Sequence, residues 1–324
     1  MGGYILRKFY FYFRNNPGIS DDEILQIILK MDFLSSQQIQ DFHRDGYLHI
    51  PNALPLTTCN TLRERASTFV DSYNPNQKAS IFTTNDQERV SDDYFLSSAD
   101  KISCFMEEKA AAFDKTEQKW VLNRPIAQAV NKIGHNLHEK DDLFHAVSYS
   151  PHVISILHTL KYHTPLAVQS MYIFKQPSIG GEVRPHQDGT FLYTQPASVL
   201  GLWWALQDCT LENGCLWGIP GSHLTTPIEQ VMVRKADGNG TEMVPKVVAP
   251  YVLTEAVPIL AKTGDLVLIH HAFVHFSKEN NSTTSRHAYT MHVIEGHETE
   301  YPKENWLQRP EGNPFNAIYT SESS

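Results

Sequence analysis

The sequence lacks an excess of basic residues, paired cysteines and long apolar runs. A formal net charge of −9 argues against a nucleic-acid-binding surface, which requires a basic stripe, so we expect no nucleic-acid partner. The four cysteines form no CxxC pair and are too few for a disulfide scaffold in 324 residues. We therefore expect buried, reduced cysteines and a cytoplasmic protein.

The first 30 residues differ in character from the rest of the chain. The segment from Tyr4 to Phe13 is apolar, but Arg7 and Lys8 interrupt it, and it is too short to cross a bilayer. We expect residues 1–30 to be an extension, either disordered or a single helix, and we expect no membrane span. Residues 31–324 then form one domain, which we expect to be monomeric.

Helical patterns are concentrated in the first half of the chain. Ser35 is a cap-like residue ahead of apolar positions at helical spacing, and a second helix is predicted from about Thr57 to Val70. A first strand, Gly46 to Pro51, lies between them. Helical spacing recurs between Asn131 and Leu160. The polar segment from Tyr73 to Asp93 is predicted to be a loop.

Short runs of β-forming residues dominate the second half. Glycine- and proline-containing turns separate them, and the runs lie at 166–174, 199–206, 215–219, 257–260, 266–276 and 287–294. Many short strands favour a closed or two-sheet structure. The fold expected from the pattern is mainly β with flanking helices.

The clearest chemical signal is the tripeptide His186-Gln187-Asp188. Side chains two residues apart on an extended chain point to the same face, so His186 and Asp188 can reach one ion together. Two histidines and one carboxylate suit Fe(II) and leave positions open for a co-substrate and dioxygen. A lone HxD motif occurs by chance in many proteins, so a second histidine from another strand is needed.

That histidine is expected from the run 267–275, which contains His270, His271 and His275. On an extended segment His271 and His275 share a face, so the pattern leaves both open as the ligand. Arg286 follows eleven residues after His275. A dicarboxylate that chelates the metal through a 2-oxo acid needs a buried cation at its far end, and arginine pairs with a carboxylate through two hydrogen bonds. Ser277 would satisfy a remaining lone pair, although Arg286 would also suit a structural ion pair.

Several segments together resemble the phytanoyl-CoA dioxygenase family. The resemblance covers roughly Met31 to Tyr319, and its motifs lie at 169–175, 180–194, 210–217, 220–223 and 274–289. It implies a double-stranded β-helix, the jelly-roll or cupin-like fold, and a dioxygenase that uses Fe(II), 2-oxoglutarate and dioxygen. Residues 1–30 are an addition to the pattern of the family.

The resemblance also implies individual site residues. The iron ligands that it implies are His186, Asp188 and His275, which favours His275 over His271. The co-substrate contacts that it implies are Lys132, Met171, Trp203, Ser277 and Arg286. Without the resemblance, Lys132 would be interpreted as a solvated charge on a helix and Met171 and Trp203 as core residues.

The expected reaction decarboxylates 2-oxoglutarate to succinate and CO2 and hydroxylates a C–H bond of an unidentified substrate. A small or lipid-like molecule and a protein side chain are both candidates. No cluster of Lys or Arg for the phosphates of coenzyme A is visible, so only the family name supports an acyl-CoA. Two other functions stay open, a metal-dependent hydrolase and a non-enzymatic binding protein on a cupin-like barrel.

Overall fold

The computed structural model describes residues 20–76, 80–82 and 93–321, so the expectation for residues 1–19 lies outside it. The described helices are α1 (Asp21–Leu29), α2 (Ser36–Asp45), α3 (Leu56–Asp71), α4 (Asp93–Leu96), α5 (Leu137–Lys140), α6 (Asp142–Ser148), α7 (Pro151–Thr159) and α8 (Ser222–Thr225). Short 3-10 helices lie at Glu108–Ala110, Ile126–Gln128 and Asp188–Thr190.

The strands are β1 (Tyr47–Ile50), β2 (Ile81–Phe82), β3 (Ile102–Glu107), β4 (Ala111–Asp114), β5 (Lys119–Leu122), β6 (Val130–His135), β7 (Pro165–Ile173), β8 (Val183–His186), β9 (Leu200–Ala205), β10 (Leu216–Gly218), β11 (Val231–Arg234), β12 (Thr241–Val244), β13 (Val257–Ile259), β14 (Leu266–His270), β15 (His275–Ser277), β16 (Ala288–Glu295) and β17 (Asn316–Ala317).

Two sheets form the body of the fold. The major sheet has nine strands in the order β1-β14-β9-β16-β7-β6-β3-β2, with β17 also paired to β7, and the minor sheet has the order β13-β10-β15-β8. Every pairing in these sheets is antiparallel except that of β2 with β3. Two facing, mostly antiparallel sheets with helices outside them confirm the predicted double-stranded β-helix.

Side chains that alternate between the two faces of the central strands contribute to two separate hydrophobic cores. In β9, Leu202 and Trp204 belong to the core shared with the helices, whereas Trp203 and Ala205 belong to the core between the sheets. Successive side chains of a strand point to opposite faces, so one strand supplies both. The result is three layers, with helices on the major sheet and the minor sheet on its other face. The four cysteines are free and buried in these cores, as expected.

Capping fixes where the first helices begin. Ser35 accepts a hydrogen bond from the backbone N–H of Gln38, whose side chain accepts one from the backbone N–H of Ser35. This capping box satisfies two backbone donors that the helix leaves unpaired. Ser20 and Glu23 make the same arrangement ahead of α1, whose Ile24 and Ile28 are buried. The boundary between an extension and a domain near residue 30 stays a prediction.

The helix predicted from residue 131 is wrong in its first part. Residues 130–135 form β6, which pairs with β3 on one side and β7 on the other; helices begin only at Leu137. The segment lies in the middle of a sheet, and pairing there outweighs a weak local preference. Lys132 therefore lies on a buried strand, with 5% of its surface exposed, and is not a solvated helix residue.

The single strand predicted at 266–276 is two strands. After β14 ends at His270, the backbone N–H of Phe273 bonds the carbonyl of His270, which closes a turn, and β15 begins at His275. The premise that placed His271 and His275 on one face of an extended segment is therefore wrong. Strands β3 to β5, β8, β11, β12 and β17 were not predicted, and β2 lies in the predicted loop.

Within the described residues, no helix combines the length and the apolar character that a membrane crossing requires.

Burial predicts how much a central residue contributes to stability. Leu202 of β9 is fully buried between the major sheet and the helices, whereas Leu224 of α8 is 70% exposed. Leu202→Ala should lower the free energy of unfolding by about 2–5 kcal/mol through lost burial and a cavity, and Leu224→Ala should change it by less than about 0.5 kcal/mol. Urea unfolding of both variants tests this, and equal losses would contradict the layer assignment.

Candidate active site

One cavity between the sheets is lined by every residue that the sequence assigned to the metal or the co-substrate. The lining includes Lys132, Met171, His186, Asp188, Trp203, His275, Ser277 and Arg286. These residues come from strands of both sheets and from the segments that follow them. Residues more than 150 positions apart in the chain, such as Lys132 and Arg286, are brought together by the fold.

Strand pairing brings together the three side chains predicted to bind a metal. β15 runs antiparallel to β8 with His275 directly opposite His186, and Asp188 begins the 3-10 helix that follows β8. The Nε2 atoms of His186 and His275 each lie 3.6 Å from Oδ1 of Asp188. One ligand atom from each residue falls within 4.8 Å of the others, a spacing that one ion can bridge.

The histidine rings are oriented by backbone carbonyls. Nδ1 of His186 lies 2.7 Å from the carbonyl oxygen of Arg184, and Nδ1 of His275 lies 2.9 Å from that of Phe273. A carbonyl accepts only, so each Nδ1 carries the proton and donates. Nε2 of each ring then presents its lone pair, as ligating histidines require.

Electrostatics keep the donor atoms in their ligating forms. Burial, together with the neighbouring His186, lowers the pKa of His275 to about 4, so its ring is neutral at pH 7. Burial raises the pKa of Asp188, but its interactions with the rings of His292, His275 and His186 outweigh the effect of burial and hold that pKa well below its usual range. Nε2 of His292 lies 3.3 Å from Oδ2 of Asp188, so His292 contacts one carboxylate oxygen while His186 and His275 lie near the other. The donor set therefore fits a divalent iron ion.

A glycine lets the carboxylate lie against the major sheet. A Cβ atom at Gly201 of β9 would lie 2.9 Å from Oδ2 of Asp188 and 3.2 Å from Cβ of Ile269. Neither contact is tolerable without movement of a neighbour. The glycine therefore leaves space that Asp188 occupies.

His271 lies elsewhere. It is in the turn between β14 and β15, its ring packs on His270 with centroids 4.0 Å apart, and it lines surface pockets other than the main cavity. Its carbonyl accepts the backbone N–H of Gly189, which ties this turn to the segment carrying Asp188. The structure thus brings His275, and not His271, to His186 and Asp188.

Arg286 lies in the same cavity with its charge uncompensated. The residue is 1% exposed, its Nε donates to the carbonyl of Gly214 at 3.2 Å, and Nη1 has no hydrogen-bond partner among the described residues. Burial lowers its pKa, which is the sign of a cation that lacks an anion. It makes no ion pair with a carboxylate of the described chain. A buried guanidinium in this state fits an incoming carboxylate.

The other predicted co-substrate residues line the same cavity as this cation. The guanidinium lies 5.3 Å from the centre of the Trp203 ring, and Ser277, at the end of β15, is 1% exposed. Lys132 and Met171 lie on the neighbouring strands β6 and β7. All of them line the cavity.

Sequence reasoning missed the apolar part of the cavity. Phe95 and Trp306 stack with ring centroids 4.4 Å apart and line it together with Phe191, Leu192 and Met232. Phe191 and Leu192 lie within the motif at 180–194, but Phe95, Met232 and Trp306 come from distant segments outside the motifs, so no local signal marks those three. His135 also lines the cavity; burial lowers its pKa to about 3, and its Nδ1 lies 2.7 Å from Oγ of Ser98.

A sequence model of the phytanoyl-CoA dioxygenase (PhyH) family matches residues 42–288. The chain belongs to the phytanoyl-CoA dioxygenase family. It is accordingly a 2-oxoglutarate-dependent dioxygenase, with Fe(II), 2-oxoglutarate and dioxygen as the cofactor and co-substrates of its class. This confirms the family expected from the motifs.

Relatives in this family match along almost their entire length. The chain is 44% identical over 298 residues to phytanoyl-CoA dioxygenase domain-containing protein 1 of Danio rerio, covering 90% of this chain and 100% of the relative. It is 42% identical over 276 residues to phytanoyl-CoA dioxygenase 1 of Oryza sativa subsp. japonica, covering 85% and 94%.

Solved structures share the fold of this family member. The non-heme alpha ketoglutarate dependent carbocyclase SnoK from nogalamycin biosynthesis superposes with a TM-score of 0.57 at 20% identity, covering 84% of this chain and 88% of SnoK. The epimerase SnoN, in complex with Fe3+, alpha ketoglutarate and nogalamycin RO, gives 0.55 at 15% identity, covering 93% and 95%. At these identities the likeness concerns the fold.

The choice between the two histidines can be tested by metal binding. His275→Ala should weaken binding of Mn(II) by roughly a hundredfold or more, because loss of partners outside the ligand shell alone costs 10–100-fold. His271→Ala is the matched control and should bind Mn(II) like the wild type. Electron paramagnetic resonance of free Mn(II) measures both, and the reverse pattern would show that His271 is the ligand.

Proposed function

We propose that the chain holds Fe(II) on His186, Asp188 and His275, holds 2-oxoglutarate against Arg286, and hydroxylates a C–H bond of a small, apolar or lipid-like substrate. The observation that carries the proposal is the pairing of two features in one cavity. Three residues that could hold a metal ion converge on one side, and a buried arginine that pairs with no carboxylate of the described residues lies in the same space.

When bound, iron supplies the oxygen chemistry, in which 2-oxoglutarate, O2 and R–H give succinate, CO2 and R–OH. The protein contributes geometry and polarity. Backbone carbonyls fix the rings of His186 and His275, so each offers Nε2. Asp188, whose pKa is held low, stays ionised and would offset part of the positive charge of a bound iron ion.

Two ends of 2-oxoglutarate have different requirements in this cavity. The 2-oxo acid end is suited to the metal, while the far carboxylate is suited to the guanidinium of Arg286 and the hydroxyl of Ser277. Trp203 lies against Arg286 and limits the positions that the guanidinium can take. Lys132 and Met171 line the space between the sheets, which supports their assignment as further contacts.

The part of the cavity beyond these polar groups is apolar and aromatic. Phe95, Trp306, Phe191 and Met232 line it, and an apolar lining of this kind disfavours water, whose exclusion protects a reactive centre from side reactions. His135 is the polar group among these rings. The lining therefore favours a small or lipid-like substrate over a charged one.

An acyl-CoA is the substrate named in the relatives, and the charges of this cavity bear on it. The cations among the described residues that line it are Lys132, Arg184 and Arg286. Lys132 and Arg286 are buried and are assigned to 2-oxoglutarate. Arg184, half exposed and 3.6 Å from Glu182, is a weak site for the phosphates of coenzyme A. We therefore propose a substrate without a coenzyme A group.

The co-substrate reaction gives the first test. Purified protein with Fe(II) should convert 2-oxoglutarate to succinate and CO2, and His186→Ala should lose essentially all of this turnover because a metal ligand is gone. The exposed His145→Ala is the control and should retain it. Succinate is measured by chromatography; a wild type that binds iron but never consumes 2-oxoglutarate would overturn the proposal and favour a hydrolase or a binding protein.

Substrate identity gives the second test. Among candidate molecules, apolar compounds without a coenzyme A group should increase succinate formation and yield a product heavier by one oxygen atom, as detected by mass spectrometry. If only acyl-CoA thioesters did so, and the corresponding free acids did not, the proposed substrate class would be wrong.

A further inference from the structure

Lys175 is a buried lysine that lies against the co-substrate end of the cavity without being one of the assigned contacts. It follows β7 and is 3% exposed. Its carbonyl accepts the backbone N–H of Arg286 at 3.2 Å and the side-chain amide of Asn280 at 2.9 Å. The two cationic residues are therefore backbone neighbours across adjacent segments.

Two glycines make room for this lysine. A Cβ at Gly180 would lie 2.8 Å from Cγ of Lys175 and equally close to its backbone carbonyl carbon. A Cβ at Gly214 would collide with Cε of Lys175 and lie 2.7 Å from the carbonyl oxygen of Lys278. Both glycines belong to turn motifs of the sequence, and the turn at Gly214 also presents the carbonyl that accepts Nε of Arg286. The aliphatic part of the Lys175 side chain thus occupies space that any larger residue at position 180 or 214 would fill.

The ammonium group of Lys175 sets the hydrogen-bond role of Ser277. Nζ donates to the carbonyl of Gly181 at 2.7 Å and to Oγ of Ser277 at 2.9 Å. A hydroxyl has one hydrogen and two lone pairs. Because Oγ of Ser277 accepts from Nζ, its own hydrogen stays available for an acceptor in the cavity. A carboxylate oxygen is such an acceptor, and a donor already held in place loses little entropy on binding.

The burial of the Lys175 ammonium group also indicates a role in binding an anion. Burial and the charge of Arg286 lower the pKa of Lys175, while the buried Glu107 opposes them. Within the part of the chain that the structure describes, Lys175 forms no ion pair with a carboxylate. A buried cation without a partner is costly, and an apolar residue of similar size is often neutral or stabilising in its place. A role only in packing is therefore better met by methionine, and the lysine calls for an anion.

We propose that Lys175 is a positioning residue for the far carboxylate of 2-oxoglutarate, acting through the Ser277 hydroxyl that it orients as a donor. The inference rests on the proposed roles of Ser277 and Arg286. In the bound state the carboxylate pairs with Arg286 and accepts from Ser277, with Lys175 behind the hydroxyl. No covalent step is involved, and the effect falls on binding.

The test compares two ligands on the full-length, Mn(II)-loaded protein by isothermal titration calorimetry, so it needs no catalytic turnover. 2-Oxoglutarate carries the far carboxylate, whereas 2-oxopentanoate has the same 2-oxo acid and lacks that group. Lys175→Met should weaken 2-oxoglutarate binding roughly 10- to 100-fold. The Ser277 hydroxyl is then no longer oriented toward the far carboxylate, and loss of a hydrogen bond to a charged group has about this effect. It should change 2-oxopentanoate binding less than about twofold. The exposed Lys235→Met is the matched control and should leave both ligands unaffected.

A second comparison tests the route through Ser277. If Lys175 acts through the hydroxyl, Lys175→Met should cost much less in a Ser277→Ala background than in the wild type. Equal costs in both backgrounds would overturn the proposal, as would equal loss of both ligands in the single variant. If Lys175→Met does not fold, Lys175→Gln takes its place; failure of both to fold would show that the lysine is structural and the proposal wrong.

The outcomes separate this inference from the proposed function. If the wild type does not prefer 2-oxoglutarate to 2-oxopentanoate, the assignment of Arg286 and Ser277 fails. If the wild type shows the preference and Lys175→Met retains it in full, only the inference about Lys175 fails.

Discussion

The antiparallel pairing of β8 with β15 is the interaction on which the site depends. It places His186 and His275 directly opposite each other, and opposed residues on neighbouring strands are within contact distance. Asp188 follows two residues after His186 and is held against the major sheet, where Gly201 leaves it space. A register shift of one residue in this pair would turn a histidine to the other face of the sheet and separate the ligands.

The buried charged residues at the two ends of the cavity each require a ligand of the opposite charge. At the candidate metal site, the acidic Asp188 and the imidazole nitrogens of His186 and His275 call for a cation. At the other site Arg286 and Lys175 are buried without a carboxylate partner among the described residues, and these call for an anion. Iron and a dicarboxylate satisfy both requirements together. Buried charges without partners are costly, so binding of both ligands also relieves an electrostatic cost of the fold.

Parts of this arrangement were visible in the sequence because they depend on local spacing. His186 and Asp188 are two residues apart, Arg286 is eleven residues beyond His275, and the capping box at Ser35 marks a helix start. The family motifs supplied Lys132, Met171 and Trp203, which the structure places in the cavity. Their proposed contacts with the co-substrate are still predictions.

Other parts could not be predicted because they depend on tertiary pairing. The strand containing Lys132 was expected to be helical, since nothing local shows that β3 and β7 lie on either side of it. The turn that separates His271 from His275 interrupts a run of β-forming residues, and only the two-sheet topology requires it. The aromatic lining at Phe95 and Trp306 joins segments about 200 residues apart, for which local periodicity carries no information.

The central claim is that one cavity binds Fe(II) and 2-oxoglutarate together, with the 2-oxo acid on the metal. The most direct measurement is an anaerobic titration of the Fe(II)-loaded protein with 2-oxoglutarate, followed by visible absorption. A 2-oxo acid that binds Fe(II) through its carboxylate and keto oxygens gives a charge-transfer band. The account predicts that the band appears and saturates at one 2-oxoglutarate per iron, and that it is lost in His275→Ala. An iron-loaded wild type that gives no band at saturating 2-oxoglutarate would contradict it.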